Sequence, residues 1–130
     1  MSTNTSTPAT EPKKTPADWL KYASAVVGDI FELYPERDTP HPFVAVRNEV
    51  MSLLRKGVDE NALLRAARNY RTYVALENVL PKYVVGPVRF YRDGMWERHQ
   101  AVRVEGRTRE QWALSGQDVA EFDRLVGEVA

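Results

Sequence analysis

The fold turns on residues Asp59 to Arg98, DENALLRAARNYRTYVALENVLPKYVVGPVRFYRDGMWER. Asp59 is placed to cap a helix. Beyond it Leu63, Ala67, Tyr70 and Val74 recur at helical spacing on one face, with Arg65, Arg68, Asn69 and Thr72 on the other. Pro81 and Pro87 then break the chain into a short turn and a short helix ending near Tyr91. Asp93-Gly94 is a strong turn signal. A long helix followed by proline-punctuated helical pieces predicts helix packed on helix.

The flanks agree. Thr15 fits an N-cap, Pro16 the first helical position, and Asp18 complements the positive helix end. Trp19, Ala23, Val26, Val27, Ile30 and Tyr34 share one face of that first helix, with Lys21, Asp29 and Glu32 opposite. Pro35 ends it, since a proline disfavours helical geometry at the residue before it. Thr39 and Pro40 repeat the start signal for a second helix, with Phe43, Val46, Val50, Leu53 and Leu54 as its buried stripe and Gly57 as its stop. Downstream, Ala101 to Val104 reads as a brief extended segment, and Thr108 with Gln111 forms a capping box before Trp112. Ser115 with Asp118 starts a last helix within Gln117 to Val129, striped by Val119, Phe122, Leu125 and Val126.

The expected class is therefore all-α, a small helical bundle of about four to five helices. Residues 1–14 are polar and proline-rich and are expected to be a disordered tail. Residues 15–98 form the helical core domain, and 99–130 a C-terminal segment with an acidic amphipathic helix.

Composition narrows the function classes. The 130 residues suit one domain plus a tail. No apolar run approaches the roughly 20 residues of a membrane span. The opening MSTNTSTPATEPKK lacks the apolar centre of a secretory signal. Cysteine is absent, which excludes disulfides and thiol chemistry and fits a reducing compartment. A cytoplasmic protein, bacterial or viral, is the expectation. Net charge is zero, but from His41 to Arg109 there are 13 Lys and Arg against 7 Asp and Glu. Both flanks are acidic. A basic middle between acidic ends can be a footprint for phosphate, or the ends can fold back and neutralise it.

No catalytic constellation is legible. His41 stands between Pro40 and Pro42 and is expected in a solvated loop; His99 follows a charged run and is expected to be exposed. Neither has metal-ligand spacing, and the glycines form no phosphate-binding loop. The acidic residues of the Glu36-Arg37-Asp38 cluster, beside a proline-rich turn, read as solvated surface. The expectation is a non-enzyme with no cofactor and no metal.

Positive charge next to flat rings points instead to nucleic acid, because guanidinium groups pair with phosphate and rings stack on bases. The candidate contacts are Arg65, Arg68, Arg71, Lys82, Arg89, Arg92 and Arg98 for phosphate, with Tyr83 and Tyr91 for stacking. The same arginines can equally be a solubilising surface. Tyr70 reads as core, and Phe90 and Trp96 as anchors for the fourth segment. Phe122, Leu125 and Val126 offer a partner-docking stripe, or pack within the chain.

Taken together, Tyr34-Pro35, the run Leu53-Leu54-x-x-Gly57, then Leu63 or Leu64 and Tyr70, and the spacing of Tyr83, Pro87, Phe90, Gly94 and Trp96 form a pattern. It resembles the C-terminal helical region of bacteriophage replication-initiation proteins, of the replisome-organiser and helicase-loader kind, over about Phe31 to Arg98. It is more loosely similar to DnaD-type primosome proteins. The resemblance implies a phage-type DNA replication accessory protein that binds DNA, often single-stranded, or a replicative helicase, without catalysis. Members generally carry a winged-helix domain before this region; here only the polar tail precedes it, which puts origin recognition in doubt. The alternatives are a module binding a host protein and a helix-turn-helix regulator using the second and third helices.

Overall fold

The structure is a computed structural model describing residues 14–129, so the tail expected to be disordered lies, apart from Lys14, outside the described residues. The long helices are α1 (Pro16–Leu33), α2 (Phe43–Arg55) and α3 (Glu60–Leu76). A single 3-10 turn (Pro81–Tyr83) leads to α4 (Pro87–Arg92) and α5 (Met95–Arg98). A two-stranded hairpin, β1 (Arg103–Val104) and β2 (Arg107–Thr108), precedes α6 (Arg109–Leu114) and α7 (Val119–Val129). The class is all-α, with more and shorter helices than expected and one minimal antiparallel ladder that pairs Arg103 with Thr108 and Val104 with Arg107.

Caps set most of the boundaries. At α1 the Thr15 side chain accepts from the Asp18 N–H, and Asp18 accepts from the Thr15 N–H in return. Asp59 accepts from the Asn61 N–H, and Thr108 with Gln111 closes the capping box of α6. Gly57 ends the second helix at φ +97°, a conformation that costs glycine little. Two expected starts are corrected. The second helix begins at Phe43 after Pro42, with no side-chain cap. Thr39 and His41 each precede a proline and are pushed out of helical geometry, so the helix waits until Pro42 has passed. Ser115 closes α6, its Oγ donating to the Trp112 carbonyl at 3.1 Å, whereas Asp118 alone caps α7 by accepting from the Ala120 N–H at 2.9 Å.

α2 and α3 both pack on α1; α4 lies against α2, and α5 against α3 and α4. The main core joins Ala23, Val26, Val27, Ile30, Tyr34, Val46, Val50, Leu54, Leu63, Ala67, Tyr70, Phe90 and Tyr91. Phe43, expected in the buried stripe, sits edge-on to Phe31 and is partly exposed. A satellite cluster of Val104, Trp112 and Phe122 packs α7 and the hairpin against Leu76 at the end of α3. The Trp112 Nε1 donates to the Val104 carbonyl at 3.0 Å, which fixes the hairpin to α6.

The segment between the 3-10 turn and α4 is irregular, and tyrosines satisfy its backbone. Tyr34 donates its hydroxyl to the Val85 carbonyl at 2.5 Å, and the Val85 N–H donates to the Tyr70 hydroxyl at 2.9 Å. Arg37 Nε donates to the Val84 carbonyl at 3.3 Å. The Arg37 guanidinium lies flat against Gly86, where a Cβ would stand 3.2 Å from three of its atoms. Arg37 is thus half-buried structure, while the carboxylates on either side of it, Glu36 and Asp38, are exposed as expected. These bonds fix where Tyr83 emerges.

Candidate nucleic-acid interface

A cleft of about 620 Å³ opens where α3, the Val79–Val85 segment, α5 and the hairpin converge. That volume falls within the range of ligand clefts, roughly 300–1,000 Å³. α3 contributes Asn69, Tyr70, Tyr73 and Glu77 to it; the proline segment contributes Val79, Tyr83 and Val85. Met95, Arg98 and His99 come from α5 and its end, Ala101 from the link that follows, and Arg103 and Gly106 from the hairpin.

Its inner wall is continuous with the core. Tyr70 lies 4.9 Å from Phe90 and 5.0 Å from His99, centroid to centroid, and His99 stacks near-parallel on Phe90 at 5.7 Å. Tyr73 stacks on Tyr70 at 6.0 Å with its ring partly exposed. Tyr83 is 67% exposed, which leaves a ring face open to an incoming base. Lys82 Nζ sits 5.2 Å from the Tyr83 ring. Beyond Tyr83 a shallower depression, sharing Tyr83 and Val85 with the cleft, is flanked by Arg37, Lys82 and Arg89. The two depressions together are lined by five cations and one carboxylate, Glu77.

His99 is held below its ordinary pKa first by burial and then by Arg103 and Arg98. His41, lodged between Phe31 and Tyr34, is lowered by burial and then by Arg37. Both were expected in solvent, and both are half-buried rings instead. The reason is aromatic packing: each fills a gap between tyrosine and phenylalanine faces. Asn69, expected on the polar face of α3, is 8% exposed and donates its amide to the His99 carbonyl at 2.7 Å, pinning the end of α5.

The predicted phosphate contacts divide. Arg98 lines the cleft, and Lys82 and Arg89 the depression beside it. Arg89 and Arg92 share one carboxylate, Asp93, at 3.6 and 2.9 Å. Arg65 donates to Gln100 Oε1 at 3.2 Å, away from the cleft, and Arg71 to the Glu32 carbonyl at 3.5 Å near the end of α1. Arg68 is exposed. Among the described residues Arg65, Arg68, Arg71, Lys82 and Arg98 form no ion pair with a carboxylate. Of the predicted stacking pair, Tyr83 is open and Tyr91 is not. Tyr91 is 1% exposed and donates its hydroxyl to the Leu63 carbonyl at 2.8 Å, so its ring has no free face. Of the two readings of the C-terminal stripe, packing within the chain holds and partner docking does not: Phe122 is 4% exposed, edge-on to Trp112 at 5.6 Å, and Leu125 and Val126, part-buried, pack against the same cluster. That apolar face is used within the chain.

Tyr73, His99, Arg103 and Arg37 were not singled out in sequence as site residues. Tyr73 carries a signal, one helical turn from Tyr70; Arg103 and His99 reach the cleft only through the turn of the chain after α5.

Among the described residues no three His, Asp or Glu side chains gather as a metal ion requires, and no helix is long and apolar enough to cross a membrane. Compared with protein-family models, curated proteins and solved structures, the chain matches none. The functional reading therefore rests on the cleft.

Proposed function

We propose that this chain is a non-enzymatic, phage-type DNA replication accessory protein that holds single-stranded DNA in the cleft between α3 and α5. The observation that carries the reading is the pairing of open rings with cations at one opening: Tyr73 and Tyr83 beside Arg98 and Arg103. Stacking on side-chain rings requires bases that are not already stacked in a duplex, so the cleft suits single strands. Base–ring stacking supplies about 1–3 kcal/mol per base, and arginines neutralise the flanking phosphates. The replication role comes from the resemblance over about Phe31 to Arg98; the helicase contact would use a surface other than Phe122, which the core has claimed. α2 and α3 each pack chiefly on α1, an arrangement that does not favour the helix-turn-helix alternative.

A gel-shift panel of single-stranded, duplex and random-sequence DNA at low salt tests this. Single strands of any sequence class should bind, and duplex weakly. The double variant Tyr73→Ala with Tyr83→Ala should lose most of that affinity with its fold intact, since both rings are exposed. No single-strand binding at low salt removes the reading.

A further inference from the structure

Resting on the cleft reading, we infer that Glu77 makes the site select guanine among the four bases. Glu77 caps the end of α3 and is the one carboxylate lining the cleft or the depression beside it. It is exposed, and among the described residues its side chain forms neither a hydrogen bond nor an ion pair. Arg98 and Arg103 line the same cleft without closing on it.

A free carboxylate beside the path of a polyanion repels it and costs affinity. It stabilises a complex only where the ligand brings hydrogen-bond donors, because an ionised carboxylate can only accept. Glu77 stands one helical turn beyond Tyr73 on the same cleft wall, so a base stacked on Tyr73 would turn an edge toward it. Guanine carries two donors side by side on its pairing edge, the ring N1–H and the N2 amino group, which match the two oxygens of one carboxylate. Cytosine and adenine each set one amino group beside a ring nitrogen that bears a lone pair, and that lone pair meets the second oxygen unfavourably. Thymine sets its N3–H between two carbonyls. A carboxylate therefore favours guanine and disfavours thymine most.

The test is fluorescence anisotropy with short thymidine oligomers carrying one central guanine, adenine or cytosine, and the all-thymidine oligomer. On this open cleft one such paired contact gives a preference for guanine of roughly five- to tenfold. Glu77→Gln should abolish that preference and move the ranking toward adenine and cytosine, because an amide offers one acceptor and one donor. Equal affinity for all four oligomers overturns the inference. So does a Glu77→Gln protein that binds every oligomer more tightly by one common factor, which would mark Glu77 as a repulsive surface charge only. If no oligomer binds the wild-type protein at low salt, the cleft reading fails and this inference with it. Circular dichroism of the variant controls for folding.

Discussion

Removing both cleft arginines should change the salt dependence of DNA binding by a calculable amount. Three exposed cations at the opening, Lys82, Arg98 and Arg103, have no carboxylate partner among the described residues, whereas Arg37, likewise without one, is half-buried and tied to the Val84 carbonyl. Each phosphate neutralised on a single strand contributes about −0.7 to the slope of log affinity against log salt. Three contacts give a slope near −2.1, so raising salt fourfold should weaken binding about twentyfold. With Arg98→Ala and Arg103→Ala combined, only Lys82 remains, the slope falls to about −0.7, and the same salt change weakens binding roughly threefold. Arg68→Ala should leave the slope unchanged, since Arg68 lies outside the cleft lining. The assay is anisotropy titration of a labelled thymidine oligomer at several salt concentrations. A double variant that keeps the wild-type slope, or an Arg68→Ala protein that loses it, would refute the placement of phosphate at this opening.

Tyr91→Phe removes the hydroxyl that bonds the Leu63 carbonyl inside the core and should cost about 1 kcal/mol in urea unfolding, with DNA binding unchanged; an unchanged urea midpoint would refute the structural role assigned to that hydroxyl. Trp112→Ala should cost about 3–5 kcal/mol by emptying the satellite cluster. Hydrogen exchange should then show α7 and the hairpin deprotected while α1 to α3 stay protected, and uniform loss of protection would show one cooperative unit. Stability should also fall with acid before the carboxylates titrate. Burial holds the folded-state pKa of His99 and His41 below the unfolded value of about 6.5, so the unfolded chain binds more protons as pH drops. Their contribution is intact above about pH 6.5 and declines below it, and His99→Gln should flatten part of that decline in urea midpoints between about pH 7.5 and about pH 5. Asp18, Asp93, Glu121 and Asp123 are lowered by hydrogen bonds to their neighbours, so their effect belongs to lower pH.

The helices were legible because their signals are local. Thr15 with Asp18, Asp59 and Gly57 are read within a turn of where they act, and the faces of the first and third helices follow from a period of 3.6. The hairpin was half legible. Its loop, Glu105-Gly106, takes φ +53° and +77°, the two positive values a two-residue hairpin loop needs, but Glu is a poor advertisement for that conformation where Asn or Asp would be plain. The site was the least legible part. Its residues come from α3, the proline segment, α5 and the hairpin, so no window of sequence contains it. Charge in one dimension could not separate Arg98, which faces the cleft, from Arg92, which Asp93 neutralises one residue along.

Rings and histidines failed for a different physical reason. Composition places Tyr, His and Phe in one neighbourhood but says nothing of which faces they show. Tyr34, Tyr70, Phe90 and His99 form one run of ring contacts, with Tyr73 the member that breaks surface. The wall of the cleft is therefore the outer layer of the core. That arrangement gives a stacking surface little freedom to lose on binding, since Tyr73 already rests on Tyr70 and His99. It also separates two roles along a single cluster. A change at Tyr70 frees the Val85 N–H and so shifts the segment that presents Tyr83, whereas a change at Tyr83 removes only a surface that the fold does not use. If the cleft binds single strands as proposed, binding and stability should be coupled at the inner rings and independent at the outer ones, which is the pattern expected of a site grown from a core and not laid over it.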